Sequence, residues 1–218
     1  GVLTNADVLS VNVVDAAVFL GTGHAGLDPS THAVLPRGAD AIGFDVSGIG
    51  FALVSVTDTQ GTGESYTGVQ AAVSSAALVG ISAVELYVSG AVKLNQAPTA
   101  QRVDWAVATG VDTSGGDKDP DDLLADLDID QAVQLQASGS GSLNIGNGAV
   151  VAGVTDFSLN LATMTVDTGN TNLGVAGVLT NADVLSVNVV DAAVFLGTGH
   201  AGLDPSTHAV LPRGADAI

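Results

Sequence analysis

The densest set of metal-capable oxygens lies in DKDPDDLLADLD, residues 117–128. Asp117, Asp119 and Asp121 fall at positions 1, 3 and 5 of an EF-hand-like loop. The carbonyl of Leu123 comes at position 7, the apolar Leu124 at position 8 and Asp128 at position 12. Hard oxygen ligands at this spacing can wrap one Ca2+, so Asp117, Asp119, Asp121 and Asp128 are the candidate calcium site. Crowded carboxylates also repel one another when no cation is near. Two departures count against an EF-hand geometry. Asp122 stands where the turn needs Gly, and Asp128 is shorter than the bidentate Glu that usually closes the loop. A solvated acidic loop is the competing reading.

Other chemistry has less to build on. GTGHAG, residues 21–26, fits the G-x-G-x-x-G spacing of a dinucleotide site and follows a strand-like stretch. That site needs a helix whose N-terminus faces the pyrophosphate, and Pro29 and Pro36 interrupt the chain just downstream. His24 and His32 share this loop with Asp28, an imidazole–carboxylate set that could hold a transition metal. Their eight-residue spacing on an insert reads more simply as exposed loop histidines. There is no Cys and no G-x-S-x-G elbow, so covalent hydrolysis lacks a nucleophile in a recognisable setting. No cofactor other than Ca2+ and no catalytic residue is expected.

The elements that would position these groups read as strands. Apolar and polar residues alternate with period two in VLSVNVV (8–14), IGFDVSG (42–48), VELYVSG (84–90), VQLQASG (133–139) and FSLNLATMTV (157–166). Only DDLLADLD, residues 121–128, suits a short helix, with acids at its N-terminus. A fainter unit of strand, small-residue corner and strand recurs at 11–20, 44–53, 71–80, 86–94, 137–145 and 152–161. Its corners include Ser47-Gly48, Ser74-Ser75, Ser89-Gly90 and Ser138-Gly139, where small side chains let the backbone bend. The expected fold is all-β, a β-solenoid-like stack of strands with inserted loops at 21–41, 56–64 and 97–131. Tandem β-sandwich domains are the alternative; the scarcity of large aromatics counts modestly against them.

One organisational fact outweighs these patterns. Residues 1–42 recur without a change as residues 177–218, a period of 176. The expected organisation is therefore one complete repeat unit, 1–176, followed by the start of the next, 177–218. A chain that opens on Gly1 and stops inside its second copy reads as a window on a longer array. Composition narrows the setting. The chain carries 23 acids against 5 Lys and Arg, a formal charge of −18, and all the acids but Glu64 and Glu85 are Asp. Phosphate backbones need clustered bases, so nucleic acid is excluded as a partner. Every apolar stretch is interrupted before it reaches membrane-spanning length. Aromatics at 4 % are too few for the two girdles of a membrane barrel.

The stretch AVFLGTG…ADAIGFDVSGIGFALVSVTDT, with ESYTGVQAAVSSAALVGISAVELYVSGAVKLNQA, VDWAVATG and VQLQASGSGSLNI, resembles the long tandem repeats of giant bacterial surface and secreted proteins. Those repeats are adhesin-like and calcium-associated. The likeness covers nearly the whole unit, its most specific piece being residues 74–97. It implies an extracellular or cell-surface location and a structural role. Where that family commonly carries a calcium-loop-like insert, GHAGLDPSTHAVLPRGAD (23–40) keeps only Asp28 and Asp40 as acids. The expected function is a structural segment of a filament, fibre or stalk, without catalysis. Its partners would be identical neighbouring repeats and other copies of the chain. The alternative is a multivalent, calcium-dependent adhesin or ligand-binding module, in which repetition raises avidity.

Overall fold

The computed structural model describes residues 3, 5–61, 63–98, 101–108, 127–170, 177–214 and 218. All strands among them belong to one open antiparallel sheet. They are β1 (Asp7–His24), β2 (Arg37–Thr57), β3 (Ser65–Val79), β4 (Val84–Gln96), β5 (Val133–Ile145), β6 (Val150–Asp167), β7 (Val178–Val190) and β8 (Ala193–Leu196). The order is β1-β2-β3-β4-β5-β6-β7, and β8 continues beside β7 along the same edge of β6. No helix occurs among the described residues. Of the helix expected at 121–128, residues 121–126 lie outside the description.

The all-β expectation holds, and the six strand–corner–strand units take a specific form. Each is one strand of 13–21 residues that passes straight through its supposed corner. At about 3.3 Å per residue the strands run roughly 43–70 Å, well beyond the usual length. Two of the corners, Ser47-Gly48 in β2 and Ser74-Ser75 in β3, become bulges at mid-height, whereas Ser89-Gly90 and Ser138-Gly139 pair with each other in unbroken register. Ser74 and Ser75 of β3 together oppose one residue of β4, and β6 shifts by one against β5 beyond Gly139. Gly48 at φ 60° and Asp15 at φ 56° mark the same level in β2 and β1. An extra residue exchanges the two faces of a strand, and the sequence compensates. In β1 the apolar residues of one face are Leu9, Val11 and Val13 before the bulge, and Val18 and Leu20 after it.

The compensation keeps one face apolar from edge to edge. Val11, Leu53, Val69, Leu94, Leu135, Leu161 and Leu185 stand opposite one another across seven strands. In the other half of the sheet Leu20, Phe44, Leu78, Leu86, Leu143, Ala152 and Val194 do the same. Both rows share a face, because Leu86 and Leu94 lie an even number of residues apart on unbulged β4. This face is half-exposed on the central strands and open on the edge strands. The opposite face is largely polar or small, as in the row Asn12, Ala52, Gln70, Lys93, Gln136, Asn160 and Ser186, with Val54 and Val151 buried on it.

Two loops cover the polar face. Part of the insert between β4 and β5 lays Trp105, Leu127 and Ile129 on Val54 to make the tightest core. Asn95, 2 % exposed, holds this loop down. Its side-chain amide donates to the carbonyls of Val103 and Asp130 at 2.8 and 3.1 Å, and its oxygen accepts from Trp105 Nε1 at 3.0 Å. Gly68 lies beneath the indole, where a Cβ would stand 2.8 Å from Trp105 Nε1. The second covering loop, residues 197–213, forms the junction described next.

Candidate functional site: the junction between copies

The duplicated segment appears in two settings. In the first copy, β1 pairs with β2. In the second, the same residues form β7 and β8 and pair with β6. Six antiparallel steps return the chain to its starting direction, so both copies run the same way in one sheet. They also present the same residues to the same face, since the row from Val11 ends on Leu185, the copy of Leu9. Identical strands with equal direction and facing, neighboured on opposite sides, offer opposite edges to β2 and β6. The hydrogen bonds show both edges in use at once. Gly197 N–H donates to Ala149 O on the β6 side at 3.0 Å. Thr198 and Ile218 exchange bonds of 2.7 and 3.0 Å on the other side, repeating the Thr22–Ile42 pair of the first copy. Ile218 is the copy of Ile42, a residue of β2 in the first copy.

Beyond β8 the second copy of the β1–β2 loop folds back over the polar face of β4, β5 and β6. His208 stacks on Tyr87 with ring centroids 3.6 Å apart and an interplanar angle of 13°. Val210 lies over Gly153, where a Cβ would come within 2.6 Å of its Cγ2. Gly148, at φ 94°, faces the backbone of His200, and Gly202 faces the side-chain amide of Asn144. Asn144 is itself fixed, donating to Glu85 Oε2 at 2.7 Å and accepting from Gly148 N–H at 2.8 Å. A glycine inside a strand weakens it and often marks a close approach by another backbone or ligand. Here Gly153 admits the loop of the following copy. Between loop and sheet runs a cleft of about 900 Å³, lined by Ser74, Ser89, Ser140 and Ser142 together with Asp191 and Arg213.

The two copies of this loop have the same internal geometry. His24 Nδ1 accepts from Gly26 N–H at 2.9 Å, as His200 Nδ1 does from Gly202 N–H. Asp28 Oδ1 accepts from Ser30 N–H, Ser30 Oγ and Thr31 N–H at 2.9, 2.7 and 2.8 Å, and Asp204 repeats all three distances. These bonds, led by that from the Ser30 or Ser206 hydroxyl, hold both carboxyls well below the ordinary carboxylate range. His32 and His208 both sit at φ 57°. Burial is what differs. Leu27 is 57 % exposed and Leu203 9 %, while His200 falls to 7 %.

The residues singled out from sequence are only partly brought together. Asp117, Asp119 and Asp121 lie outside the described residues. Asp128 is on the surface with Lys93 Nζ 2.8 Å away, and that ammonium lowers its carboxyl's pKa. Among the described residues no cluster of three His, Cys, Asp or Glu is arranged to hold a metal ion. Residues 21–26 run from the end of β1 into an ordinary loop. Tyr87, Asn144, Gly148 and Gly153 were not legible as a site, though a glycine within a strand was a usable signal. No protein-family model, curated protein or solved structure matches the chain.

Proposed function

We propose that the chain is a structural tandem-repeat segment of a giant extracellular bacterial protein, a non-catalytic element of a filament, fibre or stalk. The observation that carries this reading is the use of both edges of one repeated strand, β2 on one side and β6 on the other. A unit built this way has no terminal strand of its own. The first strand of the next unit completes its sheet, and the strands then continue from unit to unit as one open antiparallel sheet. Six strands at about 4.8 Å advance the array by ~29 Å per 176 residues, and the two-residue stagger from Val11 to the copy of Leu9 shears it by about 7 Å.

Neighbouring repeats are the first partners of such a unit, and other copies of the chain are the second. An apolar face of this extent marks a contact surface, and packing against the same face of another copy would bury it. The acidic surface suits an extracellular array that must not aggregate through its polar side. The adhesin alternative wants open aromatic platforms. Trp105 is 5 % exposed beneath its loop, Tyr87 lies under His208, and the Tyr66 hydroxyl is bonded to Glu64 at 2.9 Å, which favours the structural reading.

Small-angle scattering and electron microscopy on chains of two, three and four units test the proposal. A continuous sheet lengthens by a constant increment of about 29 Å per unit, less any coiling. Flexibly linked beads, with no fixed increment, would overturn it.

A further inference from the structure

We infer that residues 25–36 of each repeat are a preformed clasp whose partner is the β4–β5–β6 face of the preceding repeat, and that the first-copy clasp of this chain is an open binding surface for that face on another copy. The inference rests on the reading of the chain as one of a series of repeats.

Three observations support it. The same sequence is seated as residues 201–212 on Tyr87, Asn144 and Gly153. The unseated copy has the same loop bonds, including Asp28 N–H to Ala33 O at 2.8 Å, matched by Asp204 to Ala209, and the Leu27–Val34 bridge, matched by Leu203–Val210. The loop therefore needs no reordering to dock, and preorganisation spares the entropy that a flexible segment would lose. Finally, the apolar residues that seating buries, Leu27 and Val34, stand 57 % and 60 % exposed in the unseated copy. Such exposure has no structural use within a single unit. The receptor's glycines complete the fit, for Gly153 has room for Val210 only because it lacks a side chain.

The chain has no cysteine, so engineered pairs report cleanly on oxidation. A Cβ at Gly153 would stand 2.6 Å from Val210 Cγ2, so in Gly153→Cys/Val210→Cys the thiols are expected to come within disulfide reach and to close within one chain. Gly153→Cys/Val34→Cys, with the partner moved to the unseated copy, is expected to show no intrachain bond. Ser158→Cys/Asn188→Cys, opposite each other on β6 and β7, reports strand pairing independently of the clasp. If 158–188 closes while 153–210 closes no better than 153–34, the clasp is overturned and the continuous sheet stands. If neither 158–188 nor 153–210 closes, the underlying reading falls as well. For the open surface, a chain carrying Gly153→Cys with its own clasp released by Leu203→Asp/Val210→Asp is mixed with a Val34→Cys chain. A disulfide-linked heterodimer is expected. Its absence, with 153–210 closing normally, would overturn the claim that residues 25–36 bind a second copy.

Discussion

The duplicated segment permits a stability experiment in which sequence is held constant and only environment varies. Leu27→Ala and Leu203→Ala, each made alone in the 218-residue chain, remove the same atoms from the same local sequence. Contributions from the unfolded chain and from intrinsic propensity are therefore closely matched and largely cancel in the comparison. What remains is the contact with β4–β6. Leu27 is 57 % exposed and Leu203 9 %, so seating covers about half of the residue. Full burial of a leucine is worth roughly 1.5–3 kcal/mol, and half of that is about 1 kcal/mol. A void left under the clasp adds to the loss, because truncating a buried leucine costs about 2–5 kcal/mol when the site cannot collapse. Leu203→Ala is thus expected to destabilise by about 1–2 kcal/mol more than Leu27→Ala. Urea unfolding followed by circular dichroism, with equal m-values in the two variants, gives the difference from the midpoints. Equal midpoints would refute the reasoning, since they would mean that Leu203 gains nothing from its neighbours.

Asn95→Ala should cost about 3 kcal/mol or more, because it strands the Trp105 N–H and the carbonyls of Val103 and Asp130 at once. The fluorescence of the single tryptophan during urea unfolding reads this, and a loss under about 1 kcal/mol would contradict the network. The carboxyls of Asp28 and Asp204 should titrate well below the ordinary carboxylate range by carboxyl-carbon NMR. Their folded pKa is depressed, so their stabilising contribution is complete above the ordinary carboxylate range and lost only as pH falls through the lower folded value. Ser30→Ala and Ser206→Ala should move each titration back toward the ordinary range. If the acidic insert holds calcium, titration calorimetry gives a heat of Ca2+ binding that Asp117→Ala/Asp121→Ala removes; no heat in the unsubstituted chain would end that proposal.

Much of the architecture was open to a reader of the residues alone. Period-two alternation identified strands inside β1, β2, β4, β5 and β6, and the identity of residues 1–42 with 177–218 fixed the repeat. Of the small-residue pairs read as corners, Ser47-Gly48 and Ser74-Ser75 do mark places where the backbone departs from a straight strand, while Ser89-Gly90 and Ser138-Gly139 run on in regular pairing. Whether such a pair turns a corner or bulges depends on neighbouring strands. Ser74 and Ser75 bulge because β4 keeps pairing with β3 on both sides of them, a long-range hydrogen-bonding constraint that local sequence does not contain. The same limit applied to the junction. Gly153 and Tyr87 are distant in sequence from Val210 and His208, and only the folding of the intervening strands into one sheet brings the following copy's loop over them. Identical sequence in residues 25–36 and 201–212 dictated identical loop geometry, because its bonds are local. Which copy is buried was decided by tertiary structure, because burial depends on whether a preceding β4–β6 face is present to receive it.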